Sequence, residues 1–267
     1  MDLLQLLRKS YDSQSSIKLL NIYKGLPISY DTNITSIGNS EIQVPGNKNH
    51  IACLFYQGES YLQAEGLPFV IHSAVKSLHL AQNFAILTDF EVATNNIGLR
   101  EQIRVEPDDP LLTSIQFKGS AFEFVAPLAD ISASGASVYF ESSMFPTRLS
   151  QPGNAFTMTI SIPDFIARKI RKAPARAGSE NRFESKKMTS PLSPNILSRP
   201  DGQIIITAIG KVIAVRPEID FNRYRLSAQL FFKDLSKMVI LQYISHRQSE
   251  IIKDLRILSE DLYNRKK

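Results

Sequence analysis

Cysteine is almost absent from this chain of 267 residues: the one that occurs, Cys53, excludes an internal disulfide and lies in the apolar stretch IACLFY, where an inert buried thiol is expected. No run approaches eighteen consecutive apolar residues, so no transmembrane helix is expected. The opening MDLLQLLRKSYDS lacks the basic, apolar and small succession of a signal peptide, and a cytoplasmic chain is the expectation. Enzymatic signatures are missing too. There is no Gly-x-Ser-x-Gly elbow, no phosphate loop ending Gly-Lys-Ser or Gly-Lys-Thr, no dinucleotide fingerprint behind a strand and no defensible constellation of carboxylate and histidine. Binding rather than catalysis is the remaining class, with neither cofactor nor metal expected. His50, His72 and His79 share no ligand spacing with a cysteine, an aspartate or one another. Seven residues of an alternating strand place His72 and His79 on opposite faces, and His246 reads as a surface position on a final helix.

What is present suffices for a packed core, since 43% of the residues are hydrophobic, and the length suits one or two domains. The net charge of +5 favours anionic partners. Much of it is local: Arg168, Lys169, Arg171, Lys172, Arg176, Arg182, Lys186 and Lys187 face only Glu180 and Glu184. Pro174, Gly178, Pro191, Pro194 and Pro200 surround this run, so residues 166–203 read as a basic, mobile insertion. It is either a solvated loop or a contact surface for acidic protein, anionic lipid or nucleic acid. Phe183 is its only aromatic residue, which disfavours stacking on single-stranded nucleic acid.

Elsewhere the pattern is that of strands. After a short amphipathic helix begun by Leu3, Leu4, Leu6 and Leu7, strands are expected at 17–23, 32–37, 41–44, 51–56, 61–64 and 69–80. Turn signals such as Lys24-Gly25-Leu26-Pro27, Pro45-Gly46-Asn47 and Gln57-Gly58 separate them. Further strands are expected on either side of Gly119-Ser120, after Gly135, and at 156–162, 204–215 and 224–232. The chain closes on a helix from about 235 to 264, roughly 40 Å long at the usual rise per residue. Along it Leu241, Ile244, Gln248, Ile251, Leu255, Leu258 and Leu262 alternate spacings of three and four. That stripe suits either packing on the helix's own barrel or a coiled-coil seam with a second copy of the chain, and self-association is the expectation adopted, Gln248 being the polar position that selects register.

The remaining feature is a split polar motif. Arg100 and Arg104 stand four apart in LREQIRVEP, and Asp130, Ser132 and Gly135 follow in LADISASGASVYF. Two guanidinium forks suit phosphates or the O6/N7 edge of guanine, Asp130 can accept from guanine N1 and N2, Ser132 supplies one adaptable hydrogen bond, and Gly135 allows the backbone to turn and approach a ligand. Each half is commonplace alone. Their order, with strands between and after them, resembles the PilZ family, bacterial domains that bind the second messenger cyclic di-GMP. The likeness runs from about residue 100 to about 255, interrupted by the basic insertion. Leu99 departs from it, standing where the family often has another basic residue.

The resemblance implies a mainly β protein of two small antiparallel barrels or sandwiches, with a short N-terminal and a long C-terminal helix. Residues 1–94 form a domain similar in layout to that of the flagellar-brake proteins, 95–105 a linker carrying the arginine pair, 106–235 the PilZ-like barrel and 236–267 the helix. It further implies a non-enzymatic receptor whose ligand is cyclic di-GMP, held by Arg100, Arg104, Asp130, Ser132 and Gly135, and whose domain arrangement changes on binding to control an unidentified protein partner. Two alternatives stand beside this: a scaffold of the same fold that binds no nucleotide, and a nucleic-acid-binding barrel, the latter disfavoured.

Overall fold

A computed structural model describes residues 2–93, 102–163, 196–198 and 203–264. The chain divides into two compact units, one comprising Met1–Ile103 and Gln248–Lys267, the other Arg104–Arg247. The architecture is mainly β, with an open curled sheet in the first unit and a closed barrel in the second.

The first unit begins with α1, Leu3–Asp12, capped by the Asp2 carboxylate, which accepts from the amides of Leu4 and Gln5 at 3.0 and 3.2 Å. Seven strands follow: β1 Ile17–Tyr23, β2 Leu26–Thr32, β3 Ser36–Ile37, β4 Ile42–Pro45, β5 Glu59–Ala64, β6 Ile71–His79 and β7 Phe84–Val92, arranged in the order β2-β1-β5-β6-β7-β4-β3. Lys24 and Gly25 form the β1–β2 turn with φ of 48° and 79°, the paired left-handed conformation of a two-residue hairpin, so β2 starts at Leu26. Pro27, expected in the turn, instead sits in β2, an edge strand that tolerates the missing donor. β7 and all but the last residue of β2 lie outside the expected strands, and the strand expected at 32–37 is otherwise confined to the two residues of β3.

The expected strand at 51–56 is a helix. In α2, Lys48–Gln57, the Asn47 side chain accepts from the His50 amide at 2.8 Å, and Gly58 at φ 69° ends the helix. Ile51, Ala52, Cys53 and Leu54 are buried in succession, so the helix lacks the solvent-facing side that produces a 3.6-residue pattern. Ile51 and Leu54 join Leu7, Leu19, Leu62 and Leu87 in the core, while Cys53 packs with Ala52 and Leu255. Burial pushes the Cys53 thiol up to about 12.

His50 is also fully buried in α2, and among the described residues neither ring nitrogen meets a hydrogen-bond partner. Burial lowers its pKa from 6.5 to about 4. The folded chain therefore keeps His50 neutral where the unfolded chain has taken up a proton. Its contribution to stability is complete above pH 6.5 and is lost as pH falls from there towards 4. Exchanging His50→Leu should reduce the loss of unfolding free energy between pH 7.5 and pH 5 by about 2 kcal/mol, read from urea denaturation at the two pH values. The other histidines of this unit have ordinary surroundings. His72 lies between the Glu91 and Glu59 carboxylates at 2.9 and 3.0 Å, and His79 stacks on Phe84 at 4.2 Å. No cluster suited to a metal occurs among the described residues.

The second unit contains β8 Leu112–Phe117, β9 Phe124–Ser132, β10 Gly135–Glu141, β11 Ala155–Pro163, β12 Ile196–Ser198, β13 Gln203–Glu218 and β14 Arg223–Phe231. The order β11-β8-β9-β10-β14-β13 closes into a six-stranded barrel because β11 also pairs with β13, and β12 adds to the outside of β13. Alternation puts Ile115, Ile131, Val138, Met158, Ile206 and Leu226 inside. Gly210 of β13 lies opposite Phe156 of β11, and the phenyl ring covers the glycine. Of the basic insertion, only Ile196–Ser198 and the start of β13 belong to the described residues; its cationic run lies outside them.

The final helix, α3, Asp234–Asn264, is divided between the units after Arg247. No helix among the described residues is long and apolar enough to cross a membrane. The stripe proposed as a seam with a second copy is largely used within the chain. Ile244, Ile251 and Leu255 are buried, Leu255 and Leu262 packing in the first unit, whereas Leu241 is exposed. The exposed large residues Ile252 and Ile257 fall off the stripe, so the expected seam has no continuous outward face.

Candidate functional site

The centre of the site is Asp130, whose side chain is 4% exposed on the outside of the barrel. Its neighbour Ile131 points into the core, while a bulge at Ala129 separates the register Ser137↔Asp130 from Val138↔Leu128. One carboxylate oxygen accepts from Arg104 Nη1 at 3.0 Å, and the other pairs with Arg225 Nη2. Arg104 also donates to Ser137 Oγ at 3.3 Å, and Ser137 Oγ lies 3.1 Å from Ser227 Oγ. One buried carboxylate thus fixes two guanidinium groups. Each guanidinium carries five N–H donors, more than these contacts use.

Arg104 is held there by its backbone. The amides and carbonyls of Val105 and Ile131 bond reciprocally, both at 3.0 Å, which locks the segment onto β9. Arg247, buried at 2% exposure, ties the following residues to α3 by donating to the Glu106 carbonyl at 2.8 Å and to the Asp108 carboxylate at 2.9 Å.

Arg225 reaches the same carboxylate from β14, opposite Tyr139 of β10. Burial works against its charge, but Asp130, with Tyr139 and Glu218, outweighs this and holds the guanidinium above its ordinary range. The next arginine outward, Arg223, lies 3.6 Å over the Tyr139 ring and donates to Glu218 at 2.6 Å, so its charge is already balanced. The side chains of Arg104 and Arg225 remain 27% and 31% exposed, enough to meet a ligand from solvent. Together they present two forks to a planar anion or a purine edge.

The expected site residues divide into three groups. Arg104 and Asp130 meet directly. Ser132 and Gly135 close the tight β9–β10 connection, in which Ser132 Oγ donates to the Gly135 carbonyl at 3.2 Å. Arg100 lies outside the described residues. Gly135 is the first residue of β10 and is absent from the positive-φ residues, so its backbone conformation does not require glycine. Its smallness matters for another reason. A Cβ there would stand 2.8 Å from the Ala228 carbonyl oxygen and 3.8 Å from Arg104 Nη2.

Ser137, Ser227 and Arg225 were not singled out from the sequence. Ser137 lies opposite Asp130 in the β9–β10 register, and the signal for Arg225 and Ser227 was present in the alternation of RYRLSAQLF, which turns Leu226, Ala228 and Leu230 inward and these two outward. Only the register of β14 against β10 brings them to Asp130.

No family model matches the sequence, and no curated protein matches it. Solved structures similar to this chain include MrkH of K. pneumonia in complex with c-di-GMP, at 11% identity over 95% of each chain and TM-score 0.42. YcgR of Escherichia coli in complex with c-di-GMP is 12% identical over 96% of this chain and 93% of that one, at TM-score 0.40. The Bacillus subtilis inhibitor of motility MotI/DgrA is 14% identical over 88% and 96%, at TM-score 0.39.

Proposed function

We propose that the second unit is a receptor for cyclic di-GMP, bound on the outer barrel face around Asp130 and acting as an effector rather than an enzyme. The observation that carries this reading is the convergence of Arg104 and Arg225 on one buried carboxylate, within a motif that resembles that of the PilZ family. The ligand is a dianion with two guanine edges, and the two forks suit its phosphates and its O6/N7 edges. Asp130 serves chiefly to orient the arginines, since both its oxygens already face them. Ser132 and Gly135 keep the strand connection low beside Arg104, and Arg100 brings a further fork from the preceding segment.

The chain joining the two units carries both motif arginines, so occupancy is transmitted through that segment to the surface offered to a protein partner. This partner is the output of the receptor; self-association is a separate proposal that the burial of Ile251 and Leu255 weakens.

Titration calorimetry with cyclic di-GMP, with GTP and cyclic GMP as controls, tests the reading. Saturable binding of the dinucleotide alone is expected, weakened at least tenfold in Arg104→Ala, because loss of a charged hydrogen-bond partner costs about 1.5 to 3 kcal/mol. If the unaltered protein binds none of them, the cluster around Asp130 is a structural ion-pair network on a scaffold.

A further inference from the structure

The outer face does not end at β14. Continuing the register onto β13 places Arg216 opposite Arg225, Ala214 opposite Ser227 and Lys211 opposite Gln229, with a bulge at Ile213 keeping these three residues on the outside. Opposed residues of an antiparallel pair share a face, so the row Ala214, Ser227, Ser137, Asp130 runs across four strands. Its first three members are small. Ala214 and Ser227 make a shallow floor, with Arg225 and Arg216 along one side and Lys211 along the other, while Ser137 is buried and accepts from Arg104.

The charges on this floor are unequal. Arg104, Lys211, Arg216, Arg223 and Arg225 stand against Glu106, Asp130, Glu141 and Glu218, an excess of one positive charge. Arg223 is already balanced by Glu218, and Arg104 and Arg225 share Asp130. Lys211 and Arg216 are exposed and make no ion pair among the described residues. The unbalanced charge therefore lies on β13, beyond the residues of the sequence motif.

Resting on the receptor reading above, we propose that the dinucleotide lies across β10, β14 and β13, with Ala214 and Ser227 beneath it and Lys211 and Arg216 binding the half of the ligand that Asp130 and its arginines do not reach. A ligand with two phosphates needs two cationic positions separated by a surface flat enough to pass over, and the row supplies both. Larger side chains at Ala214 or Ser227 would lift the ligand from the sheet.

The test is calorimetric titration with cyclic di-GMP of the full chain and of Lys211→Ala, Arg216→Ala and Ala214→Phe, with Lys118→Ala as a control from the β8–β9 turn. Circular dichroism melts verify that each variant is folded. Lys211→Ala and Arg216→Ala are expected to weaken binding about tenfold each, Ala214→Phe to remove it, and Lys118→Ala to leave it unchanged. Unaltered affinity in Lys211→Ala and Arg216→Ala, with Arg104→Ala still impaired, overturns the extension onto β13 and spares the receptor reading. Absence of binding by the unaltered protein overturns both.

Discussion

Asp130→Ala is expected to lower the melting temperature of the second unit by about 5 to 10 °C and to weaken cyclic di-GMP binding more than Arg104→Ala does. The carboxylate is almost wholly buried, and two guanidinium groups converge on it. Removing one partner of a fully buried pair typically costs about 3 to 5 kcal/mol, and the partial exposure of both arginines reduces that to about 2 or 3. The binding loss has a separate origin: without Asp130 neither guanidinium is oriented, so the ligand must order both. A thermal melt and a titration on the same preparation separate the effects. Arg225→Ala added to Asp130→Ala should recover part of the lost stability, because it removes one of the charges left without a partner. An unchanged melting temperature in Asp130→Ala would show that the arginines do not depend on it.

The second large effect is expected at Gly210. A Cβ built there lies 2.3 Å from two carbons of the Phe156 ring, a distance that cannot persist. Phe156 is itself buried at 2% exposure, so the ring has little room to move. Gly210→Ala should therefore destabilise the barrel by about 3 kcal/mol, at the upper end for an overpacked core. Phe156→Ala should also destabilise it, through the lost burial of the ring. The double variant should lose at least 1 kcal/mol less than the sum of the single losses, since removing the ring makes room for the methyl group. Denaturant titrations of the four proteins measure this coupling. Additive losses would mean that ring and glycine do not constrain each other.

The barrel was legible because strands that bury one face alternate: the segments that became β10, β11, β13 and β14 show it, and each lies close to its expected place. The same rule failed at α2, where burial of Ile51 to Leu54 in succession left an apolar run that reads equally as a strand, and the deciding signals were Asn47 and Gly58 at its ends. The stripe on α3 was also legible, but spacing identifies an apolar face and not what covers it; Leu255 packs with Ala52 and Cys53. At the site, Arg104 and Asp130 came from the motif. Arg225 lies 95 residues from Asp130, and only the closing of the barrel makes them neighbours.

The buried thiol of Cys53 also has a practical consequence. Since it is the only cysteine and remains protonated far above neutral pH, the unaltered chain offers no target to a maleimide at pH 7. A cysteine introduced on the outer barrel wall would then take a fluorophore at a single position, with no prior removal of native thiols. Optical reporting from that wall is accordingly available in the natural sequence background.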